Sequence, residues 1–173
     1  MNNENEFRKL IIKSSNREGM HLIDIPDEGK RMMAINPELA HLIIEKPYDM
    51  GILYKGTYCG IELKNENASL TFNTANIAPH QIKNLLRSVE CGGLGVVLVR
   101  FKKGLSKKDR KRLDSDPTDF SIDKTYILDV EWLERLETTS LPIELLEEEC
   151  QELPYSKYSK EYDLTAIWQT TTN

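Results

Sequence analysis

The stretch that most constrains this chain is YDMGILYKGTYCGIELKNE at residues 48–66, in which two strand-like segments flank Lys55-Gly56. Glycine is favoured in two-residue loops because positive φ is needed there, so the stretch predicts an antiparallel hairpin. With Lys55-Gly56 as the loop, Asp49 lies directly opposite Glu62, with Cβ atoms about 4.5–5.5 Å apart. Lys64 lies two residues beyond Glu62 and therefore on the same face of the strand.

The facing pair of carboxylates needs a counter-charge, because like charges placed directly opposite each other destabilise a hairpin. Lys64 offsets part of this repulsion, and a divalent cation would offset more of it. Mg²⁺ prefers hard oxygen ligands and often takes one or two carboxylates together with water and substrate phosphate. The spacing leaves two interpretations open: a metal site, or an exposed hairpin whose polar face happens to carry these charges.

Strand and helix patterns alternate along the rest of the chain. Helical spacing of apolar residues predicts one helix over 3–14 and another that begins at Pro79 and ends at Gly92-Gly93. The alternation predicts an α/β (α+β) fold with a mixed central β-sheet flanked by helices. The other predicted elements are strands at 21–26, 70–74 (extending the same sheet), 94–101 and 124–130, an irregular segment at 27–40, a possible strand start at 41–46, and helical segments at 131–137, 142–150 and 161–168.

The 173 residues are interpreted as one domain, 1–173, because no linker, repeat or low-complexity block divides them. The longest apolar runs are too short to span a bilayer, and the polar N-terminus does not resemble a signal peptide. We therefore expect a cytoplasmic protein with no membrane partner. Three widely spaced cysteines without a CxxC pair indicate a reducing compartment and argue against a zinc site: Cys59, Cys91 and Cys150.

Charge is unevenly distributed along the chain, although the net charge is −5. Residues 100–112 hold eight basic side chains and one acidic one, whereas residues 131–152 hold eight glutamates and one arginine. A basic loop at about 102–122 is therefore the candidate contact for DNA phosphates, with a solvated loop of no such role as the alternative. Its candidate DNA-binding residues are Lys102, Lys103, Lys107, Lys108, Arg110, Lys111 and Arg112.

Several motifs between residues 40 and 168 share the order and spacing of a known nuclease superfamily. Asp49 is followed after a 13-residue gap by Glu62-Leu63-Lys64, and then by HQIKNL at 80–85. The likeness continues through GGLGVVLVRF, KTYILDV, SLPIELLEE and Tyr162-Asp163-Leu164. With an interruption at the basic loop, the chain resembles the PD-(D/E)XK nucleases, and within them the RecU-type Holliday junction resolvases.

This resemblance implies a restriction-endonuclease-like fold and an endodeoxyribonuclease that uses Mg²⁺, or Mn²⁺ in its place. Asp49, Glu62 and Gln81 would hold the metal, and Asp49, Glu62 and Lys64 would be the catalytic set. Lys64 would position the attacking water and stabilise negative charge in the transition state. The implied substrate is branched, four-way DNA formed during recombination and repair, and the implied assembly is a homodimer with two active sites.

The chain departs from the RecU-type pattern in three places. Pro47 stands where the family has a metal-site threonine, and residues 24–46 are too short for the full stalk that grips junctions. Glu6 is nearest to an acidic residue of the family's first helix, but its surroundings do not align, so no role is assigned to it. Two alternatives stay open: another nuclease of the superfamily acting on duplex or nicked DNA, and a DNA-binding module of the same fold that has lost cleavage.

Overall fold

The computed structural model describes residues 3–25, 46–114, 116 and 118–170. The predicted irregular segment at 27–40 and most of the possible strand start at 41–46 lie outside these residues. The described helices are α1 (Asn3–Ser14), α2 (Pro79–Glu90), α3 (Lys107–Arg112), α4 (Val130–Glu134), α5 (Ile143–Glu149) and α6 (Ala166–Thr170). The described strands are β1 (Met20–Asp24), β2 (Met50–Tyr54), β3 (Thr57–Glu66), β4 (Thr71–Asn73), β5 (Leu94–Gly104), β6 (Ser121–Asp129), β7 (Ser140–Pro142), β8 (Gln151–Glu152), β9 (Tyr155–Ser156) and β10 (Glu161–Tyr162).

A six-stranded mixed sheet forms the centre of the fold, in the order β1-β2-β3-β5-β6-β8. Neighbouring strands are antiparallel except β3 and β5, which are parallel and are connected through α2. Parallel neighbours need such a crossover because a tight turn cannot join them. The predicted α+β class, a mixed central sheet flanked by helices, is confirmed.

The hairpin of β2 and β3 has the predicted loop and register. Lys55 and Gly56 have φ values of 48° and 85°, as a two-residue loop with positive φ at both central positions requires. Met50 pairs with Ile61 and Ile52 pairs with Cys59, which brings Asp49 opposite Glu62 at the next step. The local rule for hairpin loops therefore predicted this part of the backbone correctly.

Each face of the central sheet carries its own hydrophobic core. Met50, Ile61 and Leu63 point toward α1 and α6, whereas Val97 and Val99 point toward α2, α4 and α5. Because strand side chains alternate between faces, Glu62 and Lys64 point to the α2 side. Cys59, which pairs with Ile52 in the hairpin, is fully buried in the core on the α1 side.

Two predictions about the topology are wrong. Residues 70–74 do not extend the central sheet, because β4 pairs with β7 in a separate two-stranded sheet where Phe72 and Leu141 are buried. The basic segment at 102–122 is not one loop. Lys102 and Lys103 belong to β5, which continues to pair with β6 as far as Gly104 and Ser121, and Ser106 then caps α3. Within the described ranges, no helix is long and apolar enough to cross a membrane.

Candidate active site

Four predicted site residues lie together at one end of the β2–β3 hairpin. The Lys64 Nζ lies 2.9 Å from Glu62 Oε1, and Gln81 Nε2 donates to the same oxygen over 2.6 Å. Asp49 is placed opposite this group by the hairpin, and Leu63 N donates to Asp49 Oδ2 over 2.9 Å. Residues from β3, from α2 and from the position just before β2 thus converge on a single carboxylate pair.

Glu62 is only 2% exposed, which makes its charge costly. Its Oε2 is buried and has no hydrogen-bond partner among the described residues. Burial, followed by the nearby charge of Asp49, raises the pKa of Glu62, and the Lys64 ammonium opposes this shift. Glu62 is therefore a carboxylate whose ionised form needs more positive charge than Lys64 alone supplies.

Asp49 is 4% exposed and is contacted by two cations that were not predicted from the sequence. Arg8 Nη1 donates to its Oδ1 over 3.4 Å, and Lys46 Nζ contacts the same oxygen. Arg8 also donates to the backbone carbonyl of Asp49 and pairs with Asp24. Arg8 is 41 positions away from Asp49 in the sequence, so no local pattern indicates this contact. Lys46 stands three residues before Asp49, which is only a weak indication that the two side chains meet.

Gln81 lies in the first turn of α2 and has two partners besides Glu62. Its Oε1 accepts from Ala78 N over 2.9 Å and lies 3.5 Å from Lys64 Nζ. The side chain thus caps the helix start and orients Glu62 at the same time. Its oxygen would have to leave these partners before it could contact a metal.

The donor set fits a hard divalent cation. Asp49 and Glu62 supply carboxylate oxygens, and the buried Oε2 of Glu62, which has no partner among the described residues, is suited to a ligand that brings positive charge. Nowhere in the described part of the chain do three or more His, Cys, Asp or Glu side chains group around a possible metal position. Two carboxylates still suffice for Mg²⁺, because it commonly keeps several waters and takes the rest of its ligands from substrate phosphate.

Three of the seven predicted DNA-binding residues are paired with carboxylates. Lys102 Nζ lies 2.7 Å from Glu6, Lys103 Nζ lies 3.2 Å from Asp109, and Arg112 Nη2 donates to Glu144 over 2.7 Å. Glu6 therefore faces Lys102 and not the Asp49–Glu62 pair. The guanidinium of Arg110 lies 5.2 Å from the Phe120 ring centroid. Within the described ranges, the exposed basic side chains of this segment without an ion pair are Lys107, Lys108 and Lys111.

The basic segment begins at the same end of the sheet as Lys64. Lys64 pairs with Val99 of the parallel strand β5, and Lys103 lies four residues further along that strand. At about 3.3 Å per residue, the separation along the strand is roughly 13 Å. The basic segment therefore begins on the same face and at the same end of the sheet as the carboxylate pair.

No protein-family model matches the sequence, and no curated protein matches it. Among solved structures, the chain is similar to Hjc from Archaeoglobus fulgidus, described as a Holliday junction resolvase from an archaeal hyperthermophile. The two share 15% identity with a TM-score of 0.48, over 82% of this chain and 89% of Hjc. Membership of the RecU-type group stays a prediction.

Proposed function

We propose that this protein is a Mg²⁺-dependent endodeoxyribonuclease that cleaves branched DNA, with four-way junctions as its substrate. The observation that supports this is the convergence of Asp49, Glu62 and Lys64, with one buried oxygen of Glu62 unpartnered within the described residues. A fold needs a reason to bury two carboxylates side by side, since their repulsion lowers its stability. Metal-assisted hydrolysis of a phosphodiester provides such a reason.

In this proposal the two carboxylates hold the metal, and Mg²⁺ supplies Lewis-acid polarisation of the phosphate and a lower pKa for water. Lys64 adds a compact positive charge beside Glu62, where negative charge develops as the phosphodiester is attacked. Gln81 holds Glu62 in place through its 2.6 Å hydrogen bond. Asp49, Glu62 and Lys64 are the catalytic residues, and Gln81 is a positioning residue.

DNA is the proposed substrate because basic side chains that make no ion pair with the described residues follow β5, the strand next to Lys64. Lys107, Lys108 and Lys111 of α3 are exposed and available to contact phosphates. The proposed homodimer would present two such sites, as symmetric cutting of a four-way junction requires.

The test compares labelled four-way junction, matched duplex, nicked duplex and single strand, each with Mg²⁺, with Mn²⁺ or with EDTA. We expect symmetric junction nicks in either metal that disappear with EDTA and in Asp49→Ala, Glu62→Gln and Lys64→Met. Glu148→Gln is the matched control, because Glu148 is an exposed carboxylate on α5, and this variant should cleave normally. Cutting of duplex or nicked DNA in preference to the junction would instead favour another nuclease specificity.

A second candidate, a DNA-binding module without cleavage, is favoured by one observation. Arg8 and Lys46 already bring two positive charges to Asp49. Such a module would bind junction DNA equally with Mg²⁺ and with EDTA, and it would leave every substrate intact. That result would overturn the enzyme proposal.

A further inference from the structure

A groove of about 320 Å³ lies on the α2 side of the hairpin. Pro47 and Tyr48, which line it, directly precede Asp49 in the chain. Tyr58 of β3 and Arg87 of α2 form other parts of its wall. This volume is at the small end of the range for ligand pockets in proteins, so the groove suits a single ring-sized group and not a bulky ligand.

Two paired glycines let two tyrosines lie against the sheet beneath the groove. Gly51 and Gly60 face each other across β2 and β3. A Cβ at Gly51 would lie 2.2 Å from the Tyr58 hydroxyl, and a Cβ at Gly60 would lie 3.0 Å from Tyr48 Cζ. The two hydroxyls are 2.8 Å apart and share a hydrogen bond. The aromatic floor is therefore fixed in position by the backbone beneath it.

The walls of the groove are neutral or positive. Asn84, Arg87 and Ser88 of α2 line it, and its described lining includes no Asp or Glu. Arg87 is exposed and makes no ion pair with the residues that the structure describes. An aromatic floor beside an unpaired guanidinium is the combination that binds unpaired nucleotides, because bases stack on rings while cations contact the backbone phosphates.

The groove also lies at a suitable distance from the proposed site of cleavage. Gln81, which touches Glu62, and Arg87 are six residues apart on α2, or about 9 Å at 1.5 Å per residue. Where the strand between the cut and the groove keeps duplex geometry, with roughly 3.4 Å of axial rise per nucleotide, this distance corresponds to two or three nucleotides.

We propose that this groove binds one unpaired nucleotide of the DNA substrate, two or three positions from the phosphate at Glu62, with its base on Tyr58 and its phosphate on Arg87. The assignment rests on the proposed nuclease function and adds to it a preference for DNA with unpaired nucleotides near the cut.

Cys91 offers a direct test of occupancy, because it lines the groove and is exposed. The reaction of each cysteine with a maleimide is followed by mass spectrometry, in EDTA, at DNA concentrations about ten times Kd. DNA with unpaired nucleotides should slow the reaction of Cys91 with maleimide about tenfold, because roughly one-eleventh of the protein has no DNA bound at this concentration. Cys150, half-buried at the end of α5, is the internal reference and should keep its rate.

Substitutions test the two contacts separately. Arg87→Ala should weaken binding of DNA with unpaired nucleotides. It should also reduce by about one the slope of the logarithm of the binding constant against the logarithm of the salt concentration, and Arg87→Lys should restore this slope. The matched control is Arg135→Ala, at an exposed arginine that follows α4 outside the groove. Tyr58→Leu should weaken this binding about fivefold to a hundredfold, and Tyr58→Phe, which keeps the ring, should not.

The outcomes separate this inference from the proposed function. If junctions are cleaved but Cys91 reacts at the same rate with and without DNA, the groove assignment is wrong and the nuclease stands. If Cys91 is protected but no substrate is cut, the nuclease proposal fails and the groove assignment stands. Equal protection by fully paired duplex at equal occupancy would overturn the preference for an unpaired nucleotide.

Discussion

At the scale of single residues, the charge of Glu62 is the main electrostatic problem of the site. Burial removes its carboxylate from water, and Asp49 places a second negative charge beside it, so the pKa of Glu62 is raised despite the contact with Lys64. A group with this environment lowers the stability of the fold at neutral pH. It also attracts positive charge, which is the property that a metal ligand needs.

The first prediction concerns the pH dependence of stability in the metal-free protein. The folded state retains the Glu62 proton to higher pH than the unfolded chain, so the wild-type free energy of unfolding falls as pH rises from about 4.3 through the raised folded pKa. Glu62→Gln removes the free-energy cost of ionising this buried carboxylate. We expect it to raise the free energy of unfolding by roughly 0.5–2 kcal/mol at pH 7.5, with a smaller gain at pH 5.

Urea denaturation in EDTA at the two pH values measures this difference. The exposed Glu148→Gln should stay within about 0.5 kcal/mol of wild type at both. A Glu62→Gln variant less stable than wild type at pH 7.5 would show that Lys64 already compensates the buried charge.

The second prediction concerns Lys46, whose ammonium contacts Oδ1 of Asp49, one of the two carboxylates that would hold the metal. Lys46→Ala removes a competing positive charge, so affinity for Mn²⁺ should rise by roughly threefold to tenfold, equal to about 0.6–1.4 kcal/mol. Isothermal titration calorimetry of the metal-free protein measures the affinity for Mn²⁺, and Lys9→Ala, on the exposed side of α1, is the control. Weaker Mn²⁺ binding by Lys46→Ala would mean that Lys46 supports the metal site and does not compete with it.

At the scale of secondary-structure elements, the close packing of α2 on the sheet brings Gln81 to Glu62. A Cβ at Gly95 of β5 would lie 2.6 Å from the Leu85 carbonyl oxygen, and one at Gly93 would lie 3.0 Å from the Ser88 carbonyl oxygen, both on α2. Both obstacles are backbone atoms, which cannot turn aside as a side chain can. Small residues at these two positions therefore determine how closely α2 approaches the strands.

The third prediction follows from this packing. Gly95→Ala should lower the free energy of unfolding by about 1–3 kcal/mol, because the helix must move away from the sheet. Cleavage should fall as well, since Gln81 moves with the helix. Thermal denaturation and junction cleavage are measured beside Gly104→Ala, where the nearest atom would be 3.8 Å away. Equal stability of the two variants would contradict the role given to this contact.

The fourth prediction concerns α3 as a DNA-binding element. Replacing Lys107, Lys108 and Lys111 together by alanine should weaken junction binding and reduce the salt slope by about 0.9 for each phosphate that the variant no longer neutralises. Arg112→Ala should have a smaller effect on the slope, because the Arg112 guanidinium is already held by two hydrogen bonds to Glu144. Fluorescence anisotropy of labelled junction DNA over a range of salt concentrations compares the two variants with wild type. A salt slope that is unchanged in the triple variant would exclude α3 from the interface with DNA.

At the scale of the whole molecule, the proposed function would depend on the separation of charge along the chain and on the proposed pairing of two chains. The net charge of −5 would repel DNA if it were spread evenly, but basic residues concentrate at 100–112 and acidic ones at 131–152. The acidic region includes α5, whose Glu144 pairs with Arg112 of the basic segment. The proposed DNA-binding face would therefore be formed by basic side chains that make no such ion pair with the described residues.

The fifth prediction concerns the homodimer. Light scattering should give a mass twice that of one chain, and a dimer of wild-type and Asp49→Ala chains should nick one strand of a cruciform plasmid where wild type linearises it. This follows because each site would cut one strand. A monomer at micromolar concentration that still linearises the plasmid in one binding event would contradict this assembly.

The sequence by itself determined the hairpin and the residues that it aligns. A two-residue loop sets the register, and the strand period of two then places Asp49, Glu62 and Lys64 without knowledge of the rest of the fold. The mixed sheet and α2 were also predictable, because their signals are local periodicities. The predicted fold class and hairpin register are confirmed on these grounds, while the chemical roles of the three residues stay predictions.

Only the tertiary structure decided which groups surround those residues. Arg8 reaches Asp49 from 41 positions away, Gln81 reaches Glu62 from α2, and Glu6 and Glu144 take up cations of the basic segment. These contacts depend on how helices pack on the sheet, and local periodicity contains no information about that packing. The strand β4 was misplaced for the same reason, since its partner β7 lies about 70 residues further along the chain.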